Sequence, residues 1–283
     1  MKTLGILGPR GTHSEEAALW LKNFLREDWR LEIFGDIFDI LTAVKERKLD
    51  AGLVPVENSL EGSINVTLDT LARSDTLTVT RELIWRVKNF LVTRPFVDVN
   101  SVKKIFSHAQ PLAQCRKFLH KNFPDAEIIS TNSTARAAEL VAASEENFAA
   151  ICTERAAKLN GLAVAAADIQ DNPNNFTRFF EIGYRPRDAA PIETFDGDKI
   201  LIICQIDGSR AGSLCDVLAE FAKRGVNMTR IESRPARTIL GAYIFFFELE
   251  TDAGDVALRE AIRAVYDRCI WLKNLGVFPV LNT

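Results

Sequence analysis

Apolar residues come in short runs, separated by stretches in which they recur every three or four positions. Thr3–Leu7 is an apolar run closed by Gly8-Pro9, and Ala17, Ala18, Leu21, Phe24 and Leu25 follow on one helical face. Together they predict a strand, a loop and an amphipathic helix. The pattern repeats with a strand at 32–34, a helix over 37–48 and a strand over 51–56 that carries Pro55 near its end. Strands alternating with helices predict a parallel α/β sheet. Leu77–Val92 is rich in Thr, Val, Ile and Trp, which predicts extended or antiparallel strands. A second α/β unit follows, with strands at 104–107, 127–129 and 148–151 and helices over 112–121, 135–144 and 153–159.

Between Arg185 and Asp198 the periodicity stops, and prolines and acidic residues mark a surface linker. Beyond it the spacing predicts a strand over 199–206, a helix carrying Leu214, Val217, Leu218 and Phe221, extended segments at 230–234 and 242–250, a helix over 256–272 and a last strand at 277–280. The order βαββαβ is that of a ferredoxin-like domain.

Two α/β units and a smaller third fit a chain of 283 residues with 47% hydrophobic and 26% charged residues. Its formal charge of −3 offers no general attraction to nucleic acid or anionic membranes. The five cysteines, Cys115, Cys152, Cys204, Cys215 and Cys269, are widely spaced with no CxxC pair, which disfavours a disulfide framework and a thiolate zinc site. Cys204, Cys215 and Cys269 lie in apolar runs and read as small core residues. No apolar stretch reaches 18 residues and the N-terminal run is too short for a signal segment, so a cytoplasmic protein is expected.

Four polar clusters carry candidate chemistry. Gly8-Pro9-Arg10-Gly11-Thr12-His13-Ser14 joins a strand to a helix, and its amides could hold a carboxylate. Thr12-x-x-Glu15 equally fits a capping box. Pro55-Val56-Glu57-Asn58-Ser59-Leu60-Glu61-Gly62-Ser63 follows a buried run, where α/β sheets place their ligands. Asn58 and Glu61 could instead cap the next helix while Gly62 turns the chain. Ser130-Thr131-Asn132-Ser133-Thr134 precedes a helix, and capping by Ser133 competes with ligand binding. Asn174-Asn175-Phe176-Thr177-Arg178-Phe179-Phe180 sets a hydroxyl and a guanidinium among aromatic rings, as an edge strand or a site. Neither a nucleotide loop, a nucleophile elbow nor a metal-ligand spacing among His13, His108 and His120 is present. No metal and no cofactor are expected.

Taken together, the four clusters resemble the prephenate dehydratase family over nearly the whole chain. The resemblance continues through Thr67-Leu68-Asp69, Ser107-His108-Ala109-Gln110, Ser133-Thr134-Ala135 and Thr177-Arg178-Phe179. The C-terminal part resembles an ACT domain in Gly212-Ser213-Leu214, Asn227-Met228-Thr229 and Ile231-Glu232-Ser233-Arg234-Pro235. The implied fold is an α/β, bilobal catalytic region like the type II periplasmic binding proteins, plus a ferredoxin-like βαββαβ ACT domain. Expected boundaries are 1–186 for the catalytic region, with lobe 1 at 1–74 and 175–184 and lobe 2 at 75–174, then a linker at 187–198 and the ACT domain at 199–283. The chain opens directly on its first strand, so no helical chorismate mutase domain is expected before it.

The resemblance implies conversion of prephenate to phenylpyruvate, CO2 and water, with Thr177 as catalytic hydrogen-bond donor. Substrate contacts would come from Thr12, Asn58, Ser59, Ser133, Thr134 and Arg178. Phe176 and Phe179 would supply an apolar wall beside the departing carboxylate. L-Phenylalanine would bind as effector at Gly212, Ser213, Leu214, Asn227, Met228, Glu232 and Ser233, between neighbouring subunits of a homodimer or homotetramer assembled through ACT and catalytic regions. An arogenate dehydratase and a non-catalytic small-molecule sensor are the competing readings, since a fold alone does not fix a function.

Overall fold

The computed structural model describes residues 1–189, 192, 194–238, 241–252 and 254–283. Three sheets organise them. The chain begins with β1 (Lys2–Leu7), α1 (His13–Leu25), β2 (Trp29–Phe34), α2 (Ile37–Lys45), β3 (Ala51–Asn58), the two-residue β4 (Gly62–Ser63), α3 (Asn65–Arg73) and β5 (Leu77–Arg86). It then crosses to a second lobe built from β6 (Phe90–Thr93), β7 (Lys104–His108), α4 (Ala109–Gln114), α5 (Arg116–Asn122), β8 (Glu127–Thr131), α6 (Thr134–Ala143), β9 (Phe148–Cys152), α7 (Glu154–Leu159) and β10 (Ala163–Ala166). Strand β11 (Phe176–Tyr184) returns to the first lobe. The C-terminal unit comprises β12 (Lys199–Ile206), α8 (Ser213–Ala222), β13 (Met228–Pro235), β14 (Tyr243–Glu250), α9 (Asp255–Tyr266) and β15 (Cys269–Phe278), followed by β16 (Val280–Asn282).

The first sheet runs β16-β5-β11-β3-β1-β2, with β4 folded back on β3. β11 is antiparallel to both its neighbours, β3 and β5. It is therefore a central strand and not the edge strand its sequence allowed. Alternation along β11 puts Phe179 into the core beneath α1, with Leu4, Ile6, Leu21 and Leu53, and Phe180 into the core on the opposite face. The second sheet runs β10-β6-β9-β7-β8.

The C-terminal sheet runs β13-β14-β12-β15, the arrangement of a ferredoxin-like βαββαβ unit. β12 is buried on both faces, hence its uninterrupted apolar run. Leu201 and Ile203 join the core of α2, α3 and the first sheet, while Ile200, Ile202 and Cys204 face Val217, Phe221 and Leu258. The C-terminal unit is thus fused to lobe 1 through a shared core.

Several expectations change. Lobe 2 was expected from residue 75, yet β5 stays in the first sheet because Leu77, Val79 and Leu83 bury there, and the crossing lies near Val87. The helix expected over 112–121 is two short helices meeting at Cys115. The helix expected over 256–272 ends at Tyr266, and Cys269 opens β15. Pro279 divides the last strand, so that β16 leaves the C-terminal sheet and pairs in parallel with β5. The helix expected without bounds after Gly62 is α3, and its N-cap is Ile64 and neither Asn58 nor Glu61. Cys215 is exposed, against its expected place in the core. Of the linker expected at 187–198, residues 190, 191 and 193 lie outside the described residues.

Candidate active site

Where β3 ends and β11 begins, Asn58 and Thr177 are register partners. Asn58 Nδ2 donates to Thr177 Oγ1 at 3.0 Å, to Asn175 Oδ1 at 3.0 Å and to the Phe176 carbonyl at 3.1 Å. Its other end is fixed as well, because Oδ1 accepts the Leu60 and Glu61 amides at 3.0 and 3.2 Å. That Asx turn folds β3 back into β4 and caps no helix. With both ends of the amide assigned, Thr177 oxygen is an acceptor, and its own proton points to no protein group among the described residues.

Ser59 closes the same corner. Its hydroxyl donates to the Asn174 carbonyl at 3.0 Å and accepts the Phe176 amide at 2.9 Å, so it anchors the start of β11 and is not the free substrate contact expected of it. Asn175 is fully buried and donates through Nδ2 to Gln114 Oε1 of lobe 2 at 3.0 Å. Asn89, on the other crossing segment, reaches that same oxygen at 3.4 Å. Trp85 pairs with Thr177 from β5, and its indole donates to His13 Nδ1 at 3.5 Å.

The lobes meet at the start of α1. Thr153 Oγ1 donates to the Gly11 carbonyl at 2.7 Å, and the Arg155 amide donates to Glu16 Oε1 at 2.9 Å. Gly11 has φ +81°, and a Cβ there would stand 3.0 Å from the Ala156 Cα, so only glycine lets lobe 2 approach this closely. The capping box expected from Thr12 is half formed and displaced. Thr12 Oγ1 turns back to the Pro9 carbonyl at 3.1 Å, and Glu15 accepts the Gly11 amide at 2.5 Å. In lobe 2 the capping reading of Ser133 stands, since its Oγ accepts the Arg136 amide at 3.0 Å, while Thr134, half-buried beside it, opens α6.

Arg178 lies elsewhere. Strand alternation turns it to the face opposite Thr177, where Nη1 meets Glu57 at 2.6 Å, Nη2 meets Glu248 of β14 at 2.6 Å and Nε meets Glu82. Lys199 and Arg230 complete the set, at 2.9 Å from Glu82 and 3.2 Å from Glu248. Three cations therefore join Glu57, Glu82 and Glu248 across the junction of lobe 1 and the C-terminal unit. Burial works against the charge on Glu248, but Arg178, then Arg230 and Lys199, outweigh it and hold its carboxyl below the usual range. Burial would likewise lower Arg178, and Glu248 and Glu82 raise it instead. Each nitrogen of the guanidinium is bound to a carboxylate on the face away from Thr177, so the expected anchor at Arg178 is withdrawn. Phe179 lines no cleft either, being part of the α1 core.

In the C-terminal unit, Gly212 (φ +85°) precedes α8, and Asn227 follows it and donates to Glu250 at 2.7 Å. Ser213 is buried and donates to the Arg210 carbonyl at 2.8 Å; Leu214 and Met228 are half-buried and pack on the domain core. Glu232, expected to meet an effector, faces lobe 1, where it accepts from Ser63 at 2.8 Å and pairs with Arg230 at 3.3 Å. Ser233, next along β13, is exposed.

Sequence reasoning missed Asn175 and Gln114 as members of the Thr177 cluster. Asn175 stood inside a quoted run, but nothing distinguished it from Asn174. Gln114 carried no signal at all.

The prephenate dehydratase family model matches residues 4–187, and the ACT domain model matches residues 201–265. The prephenate dehydratase of Mycobacteroides abscessus is 35% identical over 283 residues, 99% of this chain and 90% of that one. The crystal structure of prephenate dehydratase from Arthrobacter aurescens in complex with L-Phe superposes with a TM-score of 0.85 at 33% identity, covering 98% of this chain and 90% of that one. GqqA, a quorum quenching acylase, shares the fold at a TM-score of 0.83 and 24% identity, over 99% of this chain and 98% of its own. With its family model spanning the whole bilobal region and the ACT model following it, the chain belongs to the prephenate dehydratase family.

Proposed function

We propose that the protein converts prephenate to phenylpyruvate, with Thr177 donating a hydrogen bond to the departing ring hydroxyl. One bond from the ring to its carboxylate breaks and releases CO2. The freed electron pair enters the ring, and the carbon–oxygen bond opposite breaks as the ring becomes aromatic. The barrier lies in expelling hydroxide, so a donor must meet that oxygen as its charge grows. What supports Thr177 in this role is the Asn58 amide, which occupies the threonine oxygen as acceptor and leaves the proton to be given away. The hydroxyl pKa is far too high for a free acid, so Thr177 acts as a relay, and the proton that completes water comes from solvent. Aromatisation supplies the driving force, and no redox or electrophilic group is needed.

The pyruvyl carboxylate requires a separate anchor that orients the ring without touching the reacting bonds. With Arg178 engaged, the start of α6 is the best-supported one, where Thr134 offers a hydroxyl and the first turn offers unpaired amides at the positive end of the helix. Half-buried Phe176 is the remaining candidate for the apolar wall.

L-Phenylalanine is the proposed effector, held at the C-terminal unit between two chains. Gly212–Leu214 and Asn227–Met228 lie at opposite ends of α8, which has 10 residues and so spans about 15 Å. One pocket the size of an amino acid cannot use both ends within one chain, which supports a homo-oligomer. Among the described residues no helix is long and apolar enough to cross a membrane. The cytoplasm, where amino acids are made, is the proposed location.

The test is to mix purified protein with prephenate and, separately, with arogenate, and to follow phenylpyruvate and phenylalanine. Rapid phenylpyruvate from prephenate is expected. Faster phenylalanine from arogenate would move the substrate assignment, and neither product would leave a sensor.

A further inference from the structure

Asn175 lies in the segment that carries the chain back from lobe 2 to β11. It is fully buried, and its backbone carbonyl accepts the Val87 amide at 2.9 Å, so it fastens the two crossing segments together. Its side chain spans the lobes: Oδ1 takes a hydrogen from Asn58 Nδ2 of lobe 1, and Nδ2 gives one to Gln114 Oε1 of lobe 2, each at 3.0 Å. Gln114 therefore dictates which end of the Asn175 amide faces Asn58, since a reversed amide would set two oxygens against each other at Gln114 and two NH2 groups against each other at Asn58.

Asn58 Nδ2 carries two hydrogens for three nearby acceptors, Asn175 Oδ1, Thr177 Oγ1 and the Phe176 carbonyl. With Asn175 holding one of them, the second is directed at Thr177 and the carbonyl beside it. Without Asn175, the hydrogen directed at it loses that acceptor, and the amide, still pinned at Oδ1, can tilt its NH2 toward the Phe176 carbonyl and away from Thr177. We infer that Asn175 is a positioning residue, which orients the Thr177 hydroxyl through Asn58 and does so only while Gln114 of lobe 2 is seated against it. The inference rests on the reading of Thr177 as donor in a dehydratase. It gives the bilobal architecture a chemical purpose at one atom, because the hydroxyl is aligned when both lobes contribute to the chain of amides.

The test is a double-mutant cycle on prephenate turnover. Asn175→Leu keeps the branched shape of asparagine but has neither donor nor acceptor, and Asn175→Ala serves in its place if the leucine variant does not melt cooperatively by circular dichroism. A misaligned donor predicts a fall in kcat of about 10²-fold, with KM nearly unchanged because Asn175 does not reach the cleft. Gln114→Glu keeps an oxygen toward Asn175 Nδ2 and should hold most of kcat, whereas Gln114→Leu removes that acceptor and should lower kcat as Asn175→Leu does. In a Thr177→Ala background the same Asn175 substitution should cost kcat less than about threefold, because the group it acts through is gone. Equal losses in both backgrounds, or full kcat in Gln114→Leu, overturn the inference in favour of a purely structural tie. So does full kcat in Asn175→Leu. Failure of the unmodified protein to make phenylpyruvate overturns the functional reading itself, a result separable from all of these.

Discussion

A threonine hydroxyl catalyses only if something else decides where its proton goes, and at Thr177 that decision is made by an amide whose two ends are both engaged. Thr177→Ala removes the donor and nothing on which the fold depends, since the side chain is half-buried and donates to no protein group among the described residues. We expect kcat to fall about 10²- to 10³-fold, with little change in KM and an unaltered melting curve; turnover within a few-fold of the unmodified protein would remove Thr177 from the reaction. At this scale the sequence was legible in part. Polar runs after apolar ones marked the strand ends where Asn58 and Thr177 meet. The use of each group was not legible, because a hydroxyl that caps a helix, like Ser133, and one that pins a strand, like Ser59, look the same as one that meets a ligand. Arg178 misled for a simpler reason. Adjacency to Thr177 in sequence means opposite faces in a strand, and its partners Glu57, Glu82 and Glu248 lie up to 121 positions away.

At the scale of elements, β11 carries Thr177 on one face and the junction with the C-terminal unit on the other. Glu248 of β14 is almost wholly buried there and meets Arg178, Arg230 and, at 3.8 Å, Lys199. Removing one partner from a buried set of paired charges strands the others, and Glu248→Gln should cost about 3 kcal/mol of unfolding free energy at pH 7. The pH dependence has a definite sign. A carboxyl whose native pKa is lowered stabilises the fold at pH values above its unfolded value of about 4.3, and that contribution disappears as pH falls through the native value. Urea unfolding should therefore show the gap between Glu248→Gln and the unmodified protein narrowing steadily below about pH 4. A gap independent of pH would mean that the glutamate works by packing and not by charge. Elements with one strong period, such as α1 and β12, could be read directly. The Val256–Leu272 stretch could not, because Cys269–Leu272 continues an i, i+3, i+4 spacing of apolar residues while forming the first turns of neither helix nor loop but a strand.

At the scale of the molecule, the C-terminal unit is bound to lobe 1 twice over, by the shared core of Leu201, Ile203 and Phe246 with Phe180 and Ile182, and by β16, which crosses to pair with β5. The βαββαβ order was readable from hydrophobic spacing, but this crossing was not, since three residues after Pro279 carry too little pattern to assign to a sheet nearly 200 positions earlier. Such a union means that a ligand preferring one arrangement of the C-terminal units shifts the lobes with them, by no more than its differential affinity for the two arrangements. Gly212 offers a way to test that without touching the cleft. Its φ of +85° at the start of α8 suits glycine alone, and Gly212→Val would strain the turn that one chain is proposed to offer to the effector. The unmodified protein should lose velocity as L-phenylalanine is titrated, and sedimentation should show the amino acid favouring the associated form, because the proposed pocket takes the two ends of α8 from different chains. Gly212→Val should keep its basal turnover of prephenate and lose the response. A velocity indifferent to phenylalanine in the unmodified protein would separate the C-terminal unit from control of this reaction, and a full response in a strictly monomeric sample would place the effector within one chain.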